Sequence, residues 1–185
     1  MKEYYEITVA GVDRKLPICP VNETLYIAGF VIFGDVELTR ACARDLLKKA
    51  PEFDLLITAE SKGIPLAHEM AAQAGMNRYI LARKAPKLYM KDPVAVEVKS
   101  ITTTARQTLY LDKLDMDAMQ GKRILIVDDV ISTGESLAAL ETLVHKAGGN
   151  IVGKMAILAE GDAKDREDIL YLEYLPLFDS EGNPL

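Results

Sequence analysis

Two adjacent carboxylates, Asp128 and Asp129, end an apolar run formed by Ile124, Leu125, Ile126 and Val127. The residues that follow, Val130, Ile131, Ser132, Thr133, Gly134, Glu135 and Ser136, are rich in small and hydroxylated side chains. A helical pattern then starts at Leu137. This order reads as a buried strand, a polar loop at its C-terminal end and a helix N-terminus, the place where open α/β sheets bind ligands. The backbone N–H groups of a helix N-terminus suit a phosphate. Paired carboxylates suit vicinal hydroxyls, a magnesium ion, or both. Together they point to a phosphorylated sugar.

Those residues need a scaffold, and the flanking sequence supplies one. Residues 6–21 read as a hairpin turning at Val12-Asp13, with Pro17 and Pro20 confining its second arm to a sheet edge. Residues 35–50 read as a helix with Asp35 as its N-cap. A short strand over 54–58 leads through Ala59-Glu60-Ser61-Lys62-Gly63 into a helix opened by Pro65 and closed by Gly75. The next strand, 78–82, runs into Arg83-Lys84. Residues 94–101 and 106–112 read as two strands around a Thr-rich turn, 122–128 as the central strand and 136–147 as the helix after it. A strand over 151–159 and one more in the tail complete the pattern.

Alternating strands and helices predict an α/β fold: a doubly wound, mostly parallel sheet with helices on both faces, plus a small N-terminal hairpin hood. In such a sheet the segments after strands 54–58, 78–82 and 122–128 converge on one rim. No repeat or Pro-rich linker divides the 185 residues, so a single domain is expected.

Composition narrows the function classes. Hydrophobic content of 49% and charged content of 27% are those of an ordinary globular chain. A net charge of −6 opposes nucleic-acid or membrane-surface binding. No apolar stretch is long enough to span a bilayer, and the start lacks a signal-peptide core, so a cytoplasmic protein is expected. With two cysteines (Cys19 and Cys42) and two histidines, a zinc enzyme or a histidine-based triad is disfavoured.

The stretch Ile124-Leu125-Ile126-Val127-Asp128-Asp129-Val130-Ile131-Ser132-Thr133-Gly134-Glu135-Ser136 resembles the fingerprint of the type I phosphoribosyltransferases. The likeness extends from about residue 54 to 159. Ile57-Thr58-Ala59-Glu60-Ser61-Lys62-Gly63-Ile64-Pro65 and Leu81-Ala82-Arg83-Lys84-Ala85-Pro86-Lys87-Leu88-Tyr89 look most like the adenine and xanthine branch. The later run 159–168 also looks like the phosphoribosyltransferase domain of a purine-responsive repressor.

The resemblance implies joining a purine base to phosphoribosyl pyrophosphate (PRPP), with Mg2+ present, to give a nucleoside monophosphate and pyrophosphate. Asp128 and Asp129 would hold the ribose hydroxyls, directly or through magnesium and water. Residues 130–136 would wrap the 5′-phosphate. Ser61, Lys62 and Gly63 would cradle pyrophosphate, with Arg83, Lys84 and Lys87 supplying charge. Residues 1–33 would form the hood, and residues 84–111 a flexible hairpin loop that shields the reaction. A homodimer is implied, with the basic segment reaching a neighbouring subunit. Glu135 departs from the small residue usual in adenine enzymes.

The base remains open at this level. Adenine enzymes carry a Leu-Glu-Tyr-Gly stretch where this chain has Glu97-Val98-Lys99-Ser100-Ile101-Thr102-Thr103. Xanthine enzymes place a lysine where this chain has Glu160. A carboxylate there accepts from the amino group of adenine or guanine and opposes orotate. Asn22 and Leu25, in the expected hood, are further base-covering candidates. Adenine transfer leads. Guanine or xanthine transfer and a PRPP-binding regulator without turnover are the rivals. Each assignment has a plain alternative: Asp128-Asp129 a surface pair, Lys62 and Arg83-Lys84 solvated charges, Glu160 a rim charge, and Asn22 and Leu25 structural residues.

Overall fold

A computed structural model of the chain describes residues 2–99 and 106–185. Apolar strand sequences pair into a five-stranded parallel sheet in the order β10-β9-β8-β4-β5, from β4 (Leu55–Ala59), β5 (Ile80–Ala82), β8 (Arg123–Ile131), β9 (Asn150–Glu160) and β10 (Leu170–Leu175). The first strand in sequence, β4, lies beside the third, β8, so the winding direction reverses between them. The ends of these two strands therefore flank the crevice where α/β sheets bind ligands.

Alternate residues of β8 feed two cores. Leu125 and Val127 join a cluster with Leu38, Cys42 and Leu46 of α1 (Val36–Lys49) and Leu66 and Met70 of α2 (Ile64–Gln73). Ile124 and Ile126 join another with Leu137, Leu140 and Leu143 of α4 (Glu135–Lys146) and Met116 and Met119 of α3 (Lys113–Met119). The period-two alternation of a strand thus serves two hydrophobic layers at once. The expected antiparallel excursion is the pair β6 (Val94–Lys99) and β7 (Arg106–Leu111). Its Val96, Leu109 and Leu111 are buried in the α4 cluster, so the base of this hairpin is core. The Thr-rich run 102–104 and the end of the 97–103 stretch lie outside the described residues.

Several expectations need correction. The N-terminal hairpin, β1 (Tyr4–Val9) and β2 (Val12–Pro20), turns at Ala10-Gly11, where φ is 51° and 78°, and not at Val12-Asp13. Nor is β2 an edge: it lies between β1 and β3 (Tyr26–Ala28), with β11 (Leu177–Phe178) beyond β3. Pro17 opposes Tyr4 at the end of one ladder and Pro20 opposes Tyr26 at the end of the other, where a missing N–H costs little. The tail supplies two strands. β10 extends the parallel sheet, and β11 pairs with β3, so the tail joins the sheet of the N-terminal hairpin. Helix α3 was not foreseen: its seven residues give the 3.6-residue period too little length to show.

Among the described residues, no helix is long and apolar enough to cross a membrane. Both cysteines are free thiols, and burial pushes the Cys42 thiol up to about 12.

Candidate functional site

The central strand continues through the acids to Ile131, three residues beyond the expected end at 128. Asp128, Asp129, Val130 and Ile131 are therefore strand residues held by pairing with β9, where Asp128 opposes Ala156 and Ile131 opposes Ala159. Only Ser132, Thr133 and Gly134 form the connection, because α4 already starts at Glu135. Gly134 caps that helix in the left-handed region, at φ 79°. The backbone conformation is what requires glycine there; a Cβ would meet the Arg166 guanidinium, the movable end of a long side chain.

The molecule caps its helices in two ways. Asp35 and Asp112 accept from backbone N–H groups of α1 and α3. No side chain caps α2, which starts after Gly63, or α4, which starts after Gly134. These two helices follow β4 and β8, the strands that flank the crevice. Their positive ends thus face the rim where an anion would bind. A concavity of about 160 Å³ at the start of α4 is lined by Asp128 and residues 130–137.

The acids are held from the neighbouring strand end. The Ser61 hydroxyl donates to Asp128 Oδ1 at 3.1 Å, and the Asp129 N–H donates to the same oxygen at 2.9 Å. Gly63 packs so closely that a Cβ would lie 2.7 Å from Asp128 Oδ1 and 2.8 Å from Thr58 Oγ1. Lys62 turns inward. Its Nζ donates to the Phe30 carbonyl at 2.6 Å and lies 3.4 Å from Asp129 Oδ2. Lys62 thus faces the acid pair and ties it to the segment after β3. Asp129 is 4% exposed. Burial, with Asp129 alongside, pushes the Asp128 carboxyl up to about 7.

Glu160, at the end of β9, completes this side. Burial raises its pKa, opposed by a hydrogen bond from Ser132 and by the Lys62 charge. The structure thus brings Glu160, Ser132, Lys62 and Asp129 together. It does not bring in Asn22, an exposed residue whose Oδ1 accepts from the Thr24 and Leu25 N–H groups.

The basic segment meets a second acid. Arg83 exchanges both backbone hydrogen bonds with Tyr110, each 2.8 Å. Its Nη2 lies 3.4 Å from Glu60 Oε1, and Lys87 Nζ lies 3.9 Å from the same oxygen. The Lys84 N–H donates to Glu60 Oε2 at 2.9 Å.

Sequence reasoning placed Glu60 on this rim within the 59–63 segment but gave it no role, and it missed Arg166. Arg166 forks onto Asp168 through Nε and Nη2, and Lys154 links Asp168 to Glu141 of α4. Its approach to Gly134 spans more than thirty residues of sequence, and only the chain's return through β9 creates it.

Among the described residues, the buried side-chain polar atoms without a hydrogen-bond partner are Thr58 Oγ1, Arg83 Nε and Asp129 Oδ2. Asp129 Oδ2 has the Lys62 ammonium at 3.4 Å as an ion-pair partner, and a buried polar group without a hydrogen bond is unfavourable unless a ligand or water supplies one. All these atoms belong to the ends of β4, β5 and β8, so the cost is concentrated at the crevice.

Comparison with known proteins gives the family and the fold. The family described as "Phosphoribosyl transferase domain" matches residues 37–181. A hypoxanthine/guanine phosphoribosyltransferase of Methanotorris igneus is 32% identical over 159 residues, covering 85% of this chain and 79% of that protein. An adenine phosphoribosyltransferase of Bifidobacterium animalis is 33% identical, covering 76% and 72%. In fold, the chain is similar to the crystal structure of adenine phosphoribosyltransferase from Thermoanaerobacter pseudethanolicus, with a TM-score of 0.66 at 21% identity over 93% of this chain and 95% of that one. Matched over most of its length, this chain belongs to the phosphoribosyl transferase family.

Proposed function

We propose that this chain transfers the phosphoribosyl group of PRPP to a purine base, with adenine preferred, releasing pyrophosphate and a nucleoside monophosphate. The carrying observation is the gathering of orphaned buried polar atoms and two uncapped helix starts on one crevice. Both relatives named above act on purines. Residues 130–136 with the start of α4 would receive the 5′-phosphate. Asp128 and Asp129 would accept from the ribose hydroxyls. Arg83, Lys84 and Lys87 would face pyrophosphate, joined there by Ser61, Gly63 and a Lys62 released from Asp129.

The reaction breaks the bond between C1′ and the pyrophosphate oxygen and forms one from C1′ to a ring nitrogen. The bonding pair leaves with pyrophosphate, and the base gives up its N–H proton. Negative charge grows on the leaving group, so cations near it stabilise the transition state more than the ground state. The acids tolerate the positive charge that develops on the ribose. The sheet, which we read as doubly wound, sets these groups on one rim. We assign residues 84–111 the role of shielding the ribose from water.

Mg2+ fits the residues present. Two close carboxylates, one with a buried oxygen that has no hydrogen bond and faces Lys62 at 3.4 Å, suit a cation that takes one or two carboxylates and completes its shell with water and phosphate oxygens. When bound it would neutralise pyrophosphate charge, and Asp128 and Asp129 would hold it directly or through water. Among the described residues no larger metal-ligating group exists.

Glu160 supports an aminopurine, because a carboxylate accepts from an exocyclic amino group. The Methanotorris relative supports guanine or hypoxanthine as a second reading. We further propose a cytoplasmic homodimer. Incubation with PRPP, Mg2+ and each base in turn tests the assignment. Product from adenine alone supports the first reading, and product from guanine or hypoxanthine alone supports the second. PRPP binding without product from any base would leave a regulator.

A further inference from the structure

Glu60 is an acid placed among groups that would bind an anion. It follows β4 directly and precedes Ser61, Lys62 and Gly63. Its backbone N–H donates to the Ala82 carbonyl at 2.8 Å, which fixes it beside the end of β5. Its carboxylate divides its contacts. Oε2 takes the Lys84 N–H at 2.9 Å, a tight bond. Oε1 faces Arg83 Nη2 at 3.4 Å and Lys87 Nζ at 3.9 Å, both loose. Glu60, Arg83 and Lys87 side chains are 28%, 25% and 33% exposed, so the cluster is open to a ligand. Arg83 Nε remains buried without a partner.

We propose that Glu60 is a positioning residue for pyrophosphate turnover, an internal counter-anion that gathers Arg83 and Lys87 and yields them to the incoming pyrophosphate group. Two cations brought together without an anion repel each other. Glu60 removes that cost in the free protein, and its backbone tether at Lys84 keeps it in reach after it is displaced. The loose distances to both cations make the exchange cheap. The same carboxylate then competes with the product, weakening pyrophosphate affinity and favouring its release. This inference rests on the reading of Arg83 and Lys87 as pyrophosphate-facing groups.

The test titrates the full-length protein with magnesium pyrophosphate and, separately, with ribose 5-phosphate. Glu60→Gln keeps an oxygen for the Lys84 N–H and removes the charge. It should tighten pyrophosphate roughly fivefold, the order expected for a partly exposed charge pair, and leave ribose 5-phosphate unchanged. Glu60→Ala should tighten pyrophosphate as well, and Glu60→Asp should restore weaker binding. In steady state the KM for PRPP should fall in Glu60→Gln while kcat does not rise. Circular dichroism checks that each variant is folded. Unchanged or weaker pyrophosphate binding in both neutral variants overturns the proposal. Arg83→Gln and Lys87→Gln separate the two levels. If neither weakens pyrophosphate, the site reading itself fails. If either does while the Glu60 variants bind no tighter, only the counter-anion role fails.

Discussion

The two halves of the crevice are built with opposite charge and the same plan. At the end of β8 a pair of acids, Asp128 and Asp129, meets one internal cation, Lys62. At the ends of β4 and β5 a pair of cations, Arg83 and Lys87, meets one internal acid, Glu60. The difference lies in burial. Asp129 is buried, and burial with mutual repulsion raises the Asp128 pKa. Glu60 is partly exposed, and the Lys84 N–H with the nearby cations lowers its pKa. The acid side therefore keeps one buried carboxyl that Lys62 does not offset, whereas the basic side, one positive charge in excess, is partly exposed to water. A site with this asymmetry gains most from a ligand that brings positive charge or hydroxyl donors to the acids and an anion to the cations.

The largest expected effect breaks the acid side. Asp128→Ala with Asp129→Ala removes two charge-assisted acceptors, each about 1.5–3 kcal/mol, and should weaken PRPP binding by about a hundredfold or more. Circular dichroism should remain that of a folded chain, since the change removes buried charge. Unchanged PRPP affinity would refute the ribose assignment.

Lys62 links the halves and comes next. Lys62→Ala should lower turnover by about tenfold, the scale of one lost charge-assisted bond. Ribose 5-phosphate affinity should change far less, because that ligand carries no pyrophosphate. Equal losses in turnover and ribose 5-phosphate binding would count against Lys62 as a pyrophosphate group.

Acidity sharpens the contrast. The Asp128 carboxyl has its pKa raised to about 7, so the folded state holds a proton that the unfolded chain releases from its ordinary value upward. Stability from this group is present at low pH and is lost as pH rises towards 7. Asp128→Asn, studied without divalent cation, should therefore raise Tm at pH 8 and leave it nearly unchanged at pH 4. A Tm gain that is independent of pH removes the strained-acid account.

The smallest effect on the site belongs to a helix capped for structure alone. Asp35→Ala removes the α1 cap and one of the two acids paired with Arg14, and should cost about 1 kcal/mol while PRPP affinity stays unchanged. A drop in PRPP affinity comparable to that of the acid pair would dissolve the distinction between capped and uncapped helices.

Much of this was legible in the chain. Asp35 at a helix start, Pro65 in a first turn and the apolar run before Asp128 act through neighbours a few residues away, so their patterns survive in one dimension. The acid pair and the Ser132–Gly134 connection were visible for the same reason. The bounds were less so. The strand continues past the acids because β9 pairs with it as far as Ile131, and that partner is distant in sequence. The interior place of β2 was likewise hidden, since β3 pairs along its other side.

Local pattern by itself determined the elements, their order and the chemical types on the rim, because helix periods, strand runs and caps involve adjacent residues. Only the tertiary structure decided which charges meet. Lys62 reaching Asp129, Glu60 standing between Arg83 and Lys87, and Arg166 lying against Gly134 all depend on strand neighbours and chain returns. An ion pair needs proximity in space, and residue spacing sets that only within a turn or a strand.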